Sequence, residues 1–359
     1  MIMCKTELGI DTFSFYSSLT PKQKSRILEA IQALPEFRTK REDYMEETYE
    51  YTSDCFADQG VKLMIFRKKK SVWGLFVVLH PTLLLGEHDR SALYHPKKKV
   101  NKELMKQADS ILKRVNVPCK SQEMKLYRVD VTANLFFEDA DLAECYLRIL
   151  KKGLLLPHYH LEWFRKNEHK AKDIKEANVH SYKQACKSAA FFAYDKTAQL
   201  EMIGQFPDRL IGKRVLRLEV QLRRKGIRNW VCEDDLDNCF KTLHGLEARA
   251  AGIIRWYLHR MEPTGGIHVH YEDAAAIIGG VKHAKTRARM LYLLRKTSDS
   301  RDLTAALEKL KKEFNLNGGQ IKRLLKKFRK YGISPITLPN SEPQSVLEPI
   351  GALIEQAAS

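Results

Sequence analysis

The sequence predicts an α+β fold: a mostly antiparallel sheet built from two β-α-β-β-type halves, followed by a helical C-terminal region. Three observations carry this. Runs of alternating apolar and polar residues recur through the first 232 residues, the pattern of strands with one buried face. In each half the opening strand is followed by an amphipathic helical stretch. From residue 234 onward the apolar spacing becomes mainly helical. The expected organisation is a sheet domain over 1–232, a helical region over 233–338 and a mobile, Pro- and Ser-bearing tail over 339–359.

The first half opens with Ile10–Tyr16, which alternates as a strand. Thr20 and Pro21 start a helix reaching about Leu34. Thr20 is its N-cap, Pro21 suits the first helical position, and Leu19, Ile27, Ile31 and Leu34 point inward. Tyr44–Thr52, Val61–Phe66 and Val72–Leu79 read as strands, with the basic run Arg67–Lys70 as a hairpin tip. Gly86–Lys99 reads as a loop. Lys102–Val115 reads as a helix with Leu104, Ala108, Ile111, Leu112 and Val115 inward.

The second half repeats the plan without repeating residues. Strand 126–136 leads to a helix over Asp139–Lys152, with Leu142, Tyr146, Ile149 and Leu150 inward. A charged loop holds Lys166–Lys175, and strands follow near Val179–Lys183, at 189–196 and at 214–223. Further helices are expected over Asp235–Ala250, Arg255–Arg260 and Thr286–Leu294, and from Leu303 to about Asn315. Asn317-Gly318-Gly319 is a turn signal, and Gln320–Lys330 is a basic amphipathic helix stopped by Gly332. Helix, glycine turn and basic helix together fit a DNA-binding helix-turn-helix.

Composition narrows the function. The 359 residues carry 62 Lys+Arg against 44 Asp+Glu, a net charge of +18, which points to a polyanionic partner, nucleic acid first. No apolar run approaches the ~20 residues of a membrane span, and the first seven residues do not read as a signal peptide. Seven scattered cysteines with no C-x-x-C pair suggest reduced thiols in a cytoplasm rather than disulfides or zinc.

The chemistry gathers on three strands. Alternation puts Arg128, Asp130 and Thr132 on one face of the first. It puts Phe192, Tyr194 and Lys196 on one face of the second, and Arg217, Glu219 and Gln221 on one face of the third. Side by side, these strands would pool two acids, a tyrosine and a lysine. A phenolate can attack a phosphodiester and keep the phosphoryl group as an ester. Its unperturbed pKa of about 10 calls for a nearby cation, for which Lys196 is the candidate. Asp130 and Glu219 are hard oxygen donors of the kind that hold Mg²⁺ or Mn²⁺. The competing reading pairs each acid with the arginine two positions before it, Arg128 or Arg217, as a structural ion ladder.

The ordered set Arg128-Val129-Asp130, Ala193-Tyr194-Asp195-Lys196 and Arg217-Leu218-Glu219 resembles the replication initiators of filamentous phages, the gene-II protein family. It is also similar to the plasmid rolling-circle initiators. The likeness runs roughly over residues 9–335 and is sharpest over 126–230. It implies a relaxase-like, or Rep-like, sheet arrangement. It also implies an endonuclease that nicks origin DNA through Tyr194, leaving a 5′-phosphotyrosyl intermediate and a free 3′-OH, and later rejoins the strand. In that scheme Lys196 assists the nucleophile. Asp130 and Glu219 hold the metal, with Asp11 of the opening Ile-Asp-Thr strand as a third acid. Arg128, Arg217, Lys322, Arg323, Lys326 and Lys327 contact DNA. The expected partners are phage or plasmid origin DNA, single- and double-stranded, with a host helicase and polymerase, in the cytoplasm of a bacterial host and without a membrane. A homodimer is left open.

The chain departs from that pattern at two places. Ser181–Lys187 stands where a glycine- and lysine-rich hairpin is usual, and Gln199 stands where an acid is common. Two rivals accompany the main expectation. One is a basic DNA-binding relative that does not cut. The other is a metal nickase built on His158-Tyr159-His160 or His268-Val269-His270. Tyr182, on the preceding hairpin arm, leaves open whether one tyrosine or two would act.

Overall fold

The computed structural model describes residues 5–34, 42–44, 47–69, 72–162 and 180–358. The first half comprises β1 (Lys5–Leu19), α1 (Pro21–Gln32), β2 (Glu42–Tyr44), β3 (Glu47–Phe56), β4 (Val61–Lys69) and β5 (Val72–Leu79). Two helices, α2 (Pro81–Leu84) and α3 (Lys98–Arg114), lead into the second half. That half comprises β6 (Lys125–Phe137), α4 (Ala140–Lys152), β7 (His160–Leu161), β8 (Ser181–Ala185), β9 (Ala189–Asp195), α5 (Lys196–Met202) and β10 (Arg214–Arg223). The ten strands form one sheet in the order β2-β3-β4-β5-β1-β6-β10-β9-β8-β7. Every neighbouring pair is antiparallel. The halves meet at β1 and β6, and each places its last strand beside its first. The fold is therefore α+β with one large antiparallel sheet, as the alternation implied. The charged run 166–175 lies outside the described residues, as does Lys70 of the expected hairpin tip.

Local chemistry explains the boundaries. Thr20 Oγ1 accepts from Gln23 N at 3.3 Å and Gln23 Oε1 accepts from Thr20 N at 2.8 Å, a reciprocal cap that starts α1. Asp139 caps α4 through Asp141 N at 2.9 Å. One sheet face is apolar. Phe13, Phe15, Val129, Val131, Leu218 and Val220 are all fully buried there against Ile27 and Ile31 of α1, Leu104 of α3 and Tyr146 of α4. Each such large side chain contributes about 1.5–3 kcal/mol on burial.

Beyond the sheet come α6 (Arg224–Ile227), α7 (Cys239–Ala248) and α8 (Ala250–Met261). Leu243, Leu246, Ile253 and Ile254 join the same core as the sheet. A second core follows in α9 (Tyr271–Gly279), α10 (Ala284–Asp299), α11 (Leu303–Glu313) and α12 (Gly318–Lys330), around Met290, Leu294, Ala306, Leu310 and Phe328. The cores thus divide near residues 262–268, not at 232, because α7 and α8 are needed to cover the sheet. Nor is the end of the chain a loose tail. Val346–Leu347 (β12) pairs with His268–Val269 (β11). Helix α13 (Ile350–Ala358) buries Ile350, Leu353 and Ile354 in the sheet core.

The helical unit is tied to the sheet unit by polar bonds. Lys152 Nζ donates to the carbonyls of Thr297, Ser298 and Ser300 at the C-terminus of α10. Leu155 N donates to Thr304 Oγ1 at 2.8 Å, and Arg329 donates to the carbonyls of Pro263 and Thr264. Among the described residues no helix is long and apolar enough to cross a membrane.

Candidate active site

The sheet face opposite the helix-side core carries the polar residues. Arg128, Asp130, Thr132 and Asn134 of β6 lie there beside Arg217, Glu219 and Gln221 of β10, none more than 8 % exposed. Two apolar patches flank this trough. Phe66, Phe76, Tyr16 and Tyr127 lie toward the first half, and Phe136, Leu200, Leu210 and Val215 toward α5. The β9–β10 register sets Tyr194 opposite Arg217 and Phe192 opposite Glu219. Tyr194 is half-buried, and its hydroxyl donates to Glu219 Oε2 at 3.3 Å.

Asp11 reaches the trough by a route that simple alternation does not give. Alternation placed it with Phe13 and Phe15, yet those rings lie in the helix-side core. Between Ile10↔Val131 and Phe13↔Val129 the register advances three residues on β1 and two on β6, a β-bulge. The extra residue turns Asp11 and Thr12 together toward the polar face. Thr12 donates to Asp130 Oδ2 and accepts from Arg128 Nη2 at 2.8 Å. Asp11 Oδ1 meets Arg217 Nη1 at 2.7 Å.

Arg128 and Arg217 were expected to contact DNA; they are instead internal. Arg128 pairs with Asp130 at 2.8 Å. Arg217 has no exposed surface. Besides Asp11, it donates from Nε to Asn134 Oδ1 and from Nη2 to Ser91 O, both at 2.8 Å. The ion ladder is therefore half realised: Asp130 pairs with the arginine two positions before it, whereas Arg217 reaches across to Asp11 rather than Glu219. Ser91 belongs to a segment that takes the place of β5 beside the start of β1, where Ile10 and Tyr94 exchange backbone bonds of 3.1 and 2.8 Å. Gly9 permits this approach, since a Cβ there would stand 2.8 Å from Leu93 Cβ.

Lys196 is not the last residue of a strand but the first of α5. Asp195 caps that helix, accepting from Ala198 N at 2.9 Å, and ends β9. Lys196 is nonetheless buried, with its Nζ donating to Gln199 Oε1 at 2.9 Å.

Burial dominates the electrostatics. It pushes the Tyr194 phenol well above its ordinary value; the Arg217 guanidinium opposes this, and the charges of Glu219 and Asp11 add to it. The cation beside the phenol is thus Arg217, not Lys196. Glu219 is raised to about 8 by burial and by the charges of Asp130 and Asp11. Asp130 is also raised by burial, against the pull of Arg128. Burial would raise Asp11 too, but Arg217, Lys196 and His80 outweigh it and hold it low. His80 falls to about 4, chiefly through burial.

Lys196 is depressed to about 7 by burial and by Arg217. The unfolded chain keeps that proton up to about pH 10.5. Between these values the unfolded state binds more protons, so this group makes stability rise as pH climbs from about 7 to about 10. Lys196→Met should remove that dependence and raise the unfolding free energy at pH 7 by about 1–3 kcal/mol, read from urea titrations at pH 7 and pH 9. Equal destabilisation at both pH values would show that the amine is not strained by burial.

The expected three-carboxylate metal set is not assembled. Among the described residues no three His, Cys, Asp or Glu side chains come together to hold an ion, and Asp11 is turned to Arg217. Two carboxylates remain. Asp130 Oδ1 is buried with no hydrogen-bond partner, as is Gln221 Oε1 across the strand pair. Orphaned buried acceptors cost about 1–3 kcal/mol each. A hard divalent cation, which often takes only one or two carboxylates, suits such oxygens.

Among the described residues neither histidine pair gathers a third metal-ligating side chain. His158 sits in a left-handed turn (φ 66°), so strand alternation does not align it with His160, which faces Glu162 at 3.2 Å. His268 is fully buried with both ring nitrogens against oxygens, Ile336 O at 2.8 Å and Glu262 Oε2 at 3.1 Å. Tyr182 pairs with Ala193 and packs in the helix-side core, on the opposite face from Tyr194. It cannot act as a second nucleophile in this trough.

Lys322, Arg323, Lys326 and Lys327 are exposed along α12, whose Leu324 and Phe328 face the second core. Asn317 caps α12, so the glycines of the expected turn form its first residues. Sequence reading missed Thr12, His80, Ser91 and Asn134. Only Asn134 left a signal, continuing the alternation of Arg128, Asp130 and Thr132. Compared with known proteins, the chain matches no protein-family model and no curated protein.

Proposed function

We propose that this chain is a metal-dependent enzyme that nicks and rejoins single-stranded DNA through Tyr194, starting rolling-circle replication of a phage or plasmid in a bacterial host. The observation that carries the reading is a half-buried tyrosine on the polar sheet face, its hydroxyl 3.3 Å from the Glu219 carboxylate and opposite the buried Arg217. The ordered strand motifs that resemble the gene-II initiators support it.

In this reading the Tyr194 oxygen attacks phosphorus and its proton passes to Glu219, a carboxylate made more basic by burial. The P–O3′ bond breaks, and the leaving oxygen takes a proton from Lys196, which titrates near neutrality. Arg217, held by Asp11, Asn134 and Ser91, fixes the strand position that presents the phenol. Asp130 and Glu219 would hold Mg²⁺ or Mn²⁺, which offsets charge building on the phosphate oxygens. Rejoining is the reverse transfer to a 3′-OH. The test is incubation with labelled single-stranded origin DNA and Mn²⁺, followed by peptide mapping. Label on Tyr194 supports the proposal; label elsewhere, or none, refutes it.

The helical unit supplies the duplex contact. Residues 271–333 hold sixteen Lys+Arg against six Asp+Glu, more than half of the net charge of the chain. Replacing Lys322, Arg323, Lys326 and Lys327 together by serine should weaken duplex origin binding about 100-fold or more. It should also flatten the log–log salt slope by about 3–4. Cleavage of short single strands should be unchanged. Point substitutions are the right tool, because truncation at residue 300 would strip α13 from the sheet core. Duplex affinity equal to that of the unaltered chain would dismiss α12 as the reading helix.

A further inference from the structure

We infer that Gln221, through its side-chain oxygen, is a ligand of a divalent cation held with Asp130 and Glu219, and that Asp11 is not. The inference rests on the reading of this trough as a nicking site but is tested independently of it. Its starting point is a juxtaposition. Gln221 and Asp130 are register partners on β10 and β6, so their side chains leave the same face about 5 Å apart. Glu219, two residues along β10, is the diagonal neighbour of Asp130. The carboxylate of Asp130 is therefore bracketed by an amide on one side and a second carboxylate on the other.

The hydrogen bonding divides the Asp130 carboxylate into two ends. Oδ2 is taken by Arg128 and Thr12. Oδ1 has no partner, and neither has Gln221 Oε1, although the two residues are only 2 % and 3 % exposed. The Gln221 amide lies against Asp130 and favours its ionised form; turning that amide over sets Oε1 beside Oδ1, and two acceptor oxygens so placed ask for something positive. A water could donate to both, but it would leave Asp130, Glu219 and Asp11 facing one another with only Arg128 and Arg217 as permanent counter-charges. A small dication satisfies the oxygens and relieves the crowding at once. Amide oxygens are ordinary ligands of hard cations, and two carboxylates with one amide leave room for water and phosphate oxygens. Asp11 is excluded because its Oδ1 is already committed to Arg217 Nη1 at 2.7 Å.

The experiment uses the full chain and Mn²⁺ alone, with bound ion counted by electron paramagnetic resonance and affinity taken from calorimetry. One Mn²⁺ should bind. Gln221→Leu should weaken it more than tenfold, Gln221→Glu should hold it at least as tightly, and Asp11→Asn should change the affinity less than threefold. Gln221→Glu and Asp11→Asn decide the matter if Gln221→Leu does not fold. No binding at millimolar Mn²⁺, an affinity indifferent to Gln221→Leu, weaker binding by Gln221→Glu, or a loss in Asp11→Asn as large as in Gln221→Leu each overturns the inference. Adduct formation on Tyr194 in the same preparations separates the two ideas. Mn²⁺ held through Gln221 without an adduct keeps the site and removes the nuclease reading. An adduct with Mn²⁺ binding indifferent to Gln221 does the reverse.

Discussion

Tyr194→Phe is expected to abolish both cleavage of a single-stranded origin oligonucleotide and the covalent adduct, a loss on the order of 10⁴-fold or more. The substitution removes one oxygen and keeps the ring, so β9 should stay in register with β10. The lost bond to Glu219 is long at 3.3 Å and should cost no more than about 1 kcal/mol. The contrast between intact folding and absent chemistry is what makes the variant informative. Circular dichroism, urea denaturation and a gel assay for the adduct measure it together. Residual adduct in the phenylalanine variant would place the nucleophile elsewhere. Tyr182 offers no refuge, since its ring packs in the core on the opposite face of the sheet and its hydroxyl is held by Gln184 Nε2.

The second large effect concerns stability. Arg217→Met should destabilise the protein by about 3–5 kcal/mol, because it takes the ion-pair partner from the half-buried Asp11 carboxylate and removes a fully buried guanidinium. Asn134 Oδ1 and Ser91 O lose a donor in the same stroke. Arg217→Lys should not rescue much. One ammonium cannot reproduce three bonds that leave a planar fork in three directions. The double change Arg217→Met with Asp11→Asn should recover part of the loss, and the size of that recovery reports the ion pair itself. Chemical denaturation of the four proteins at pH 7 measures it. A denaturation midpoint for Arg217→Met within error of the unaltered chain would mean that Arg217 is not the hub of the trough.

These two residues also mark how far the sequence could be read. Strand alternation placed Tyr194, Asp130 and Glu219 on one face, because a period of two survives wherever strands are regular. It failed for Asp11, since a bulge leaves no trace in composition and reverses the face of everything before it. It failed for Lys196 in a different way. Asp195 is as good a helix cap as a strand residue, and the cap won. The arginines were taken for DNA contacts because charge usually means surface; nothing local announces that three acceptors, one of them the Ser91 carbonyl, await a buried guanidinium. Helix α13 was hidden by the Pro- and Ser-bearing stretch before it, although Ile350, Leu353 and Ile354 have helical spacing.

The anchoring of the helical unit has a consequence for how DNA would be held. Lys152 grips three carbonyls at the end of α10, and Arg329 of α12 grips two beside the end of α8. These clamps tie the helical unit to the sheet unit at separate points, through α10 and through α12, and oppose a free swing between them. On the proposed reading, the protein is then a ruler. The number of base pairs between the duplex seat and the scissile phosphate is fixed by the molecule. Inserting half a helical turn of DNA between them would present the strand to Tyr194 from the wrong side, whereas a full turn would restore the facing at the cost of reach.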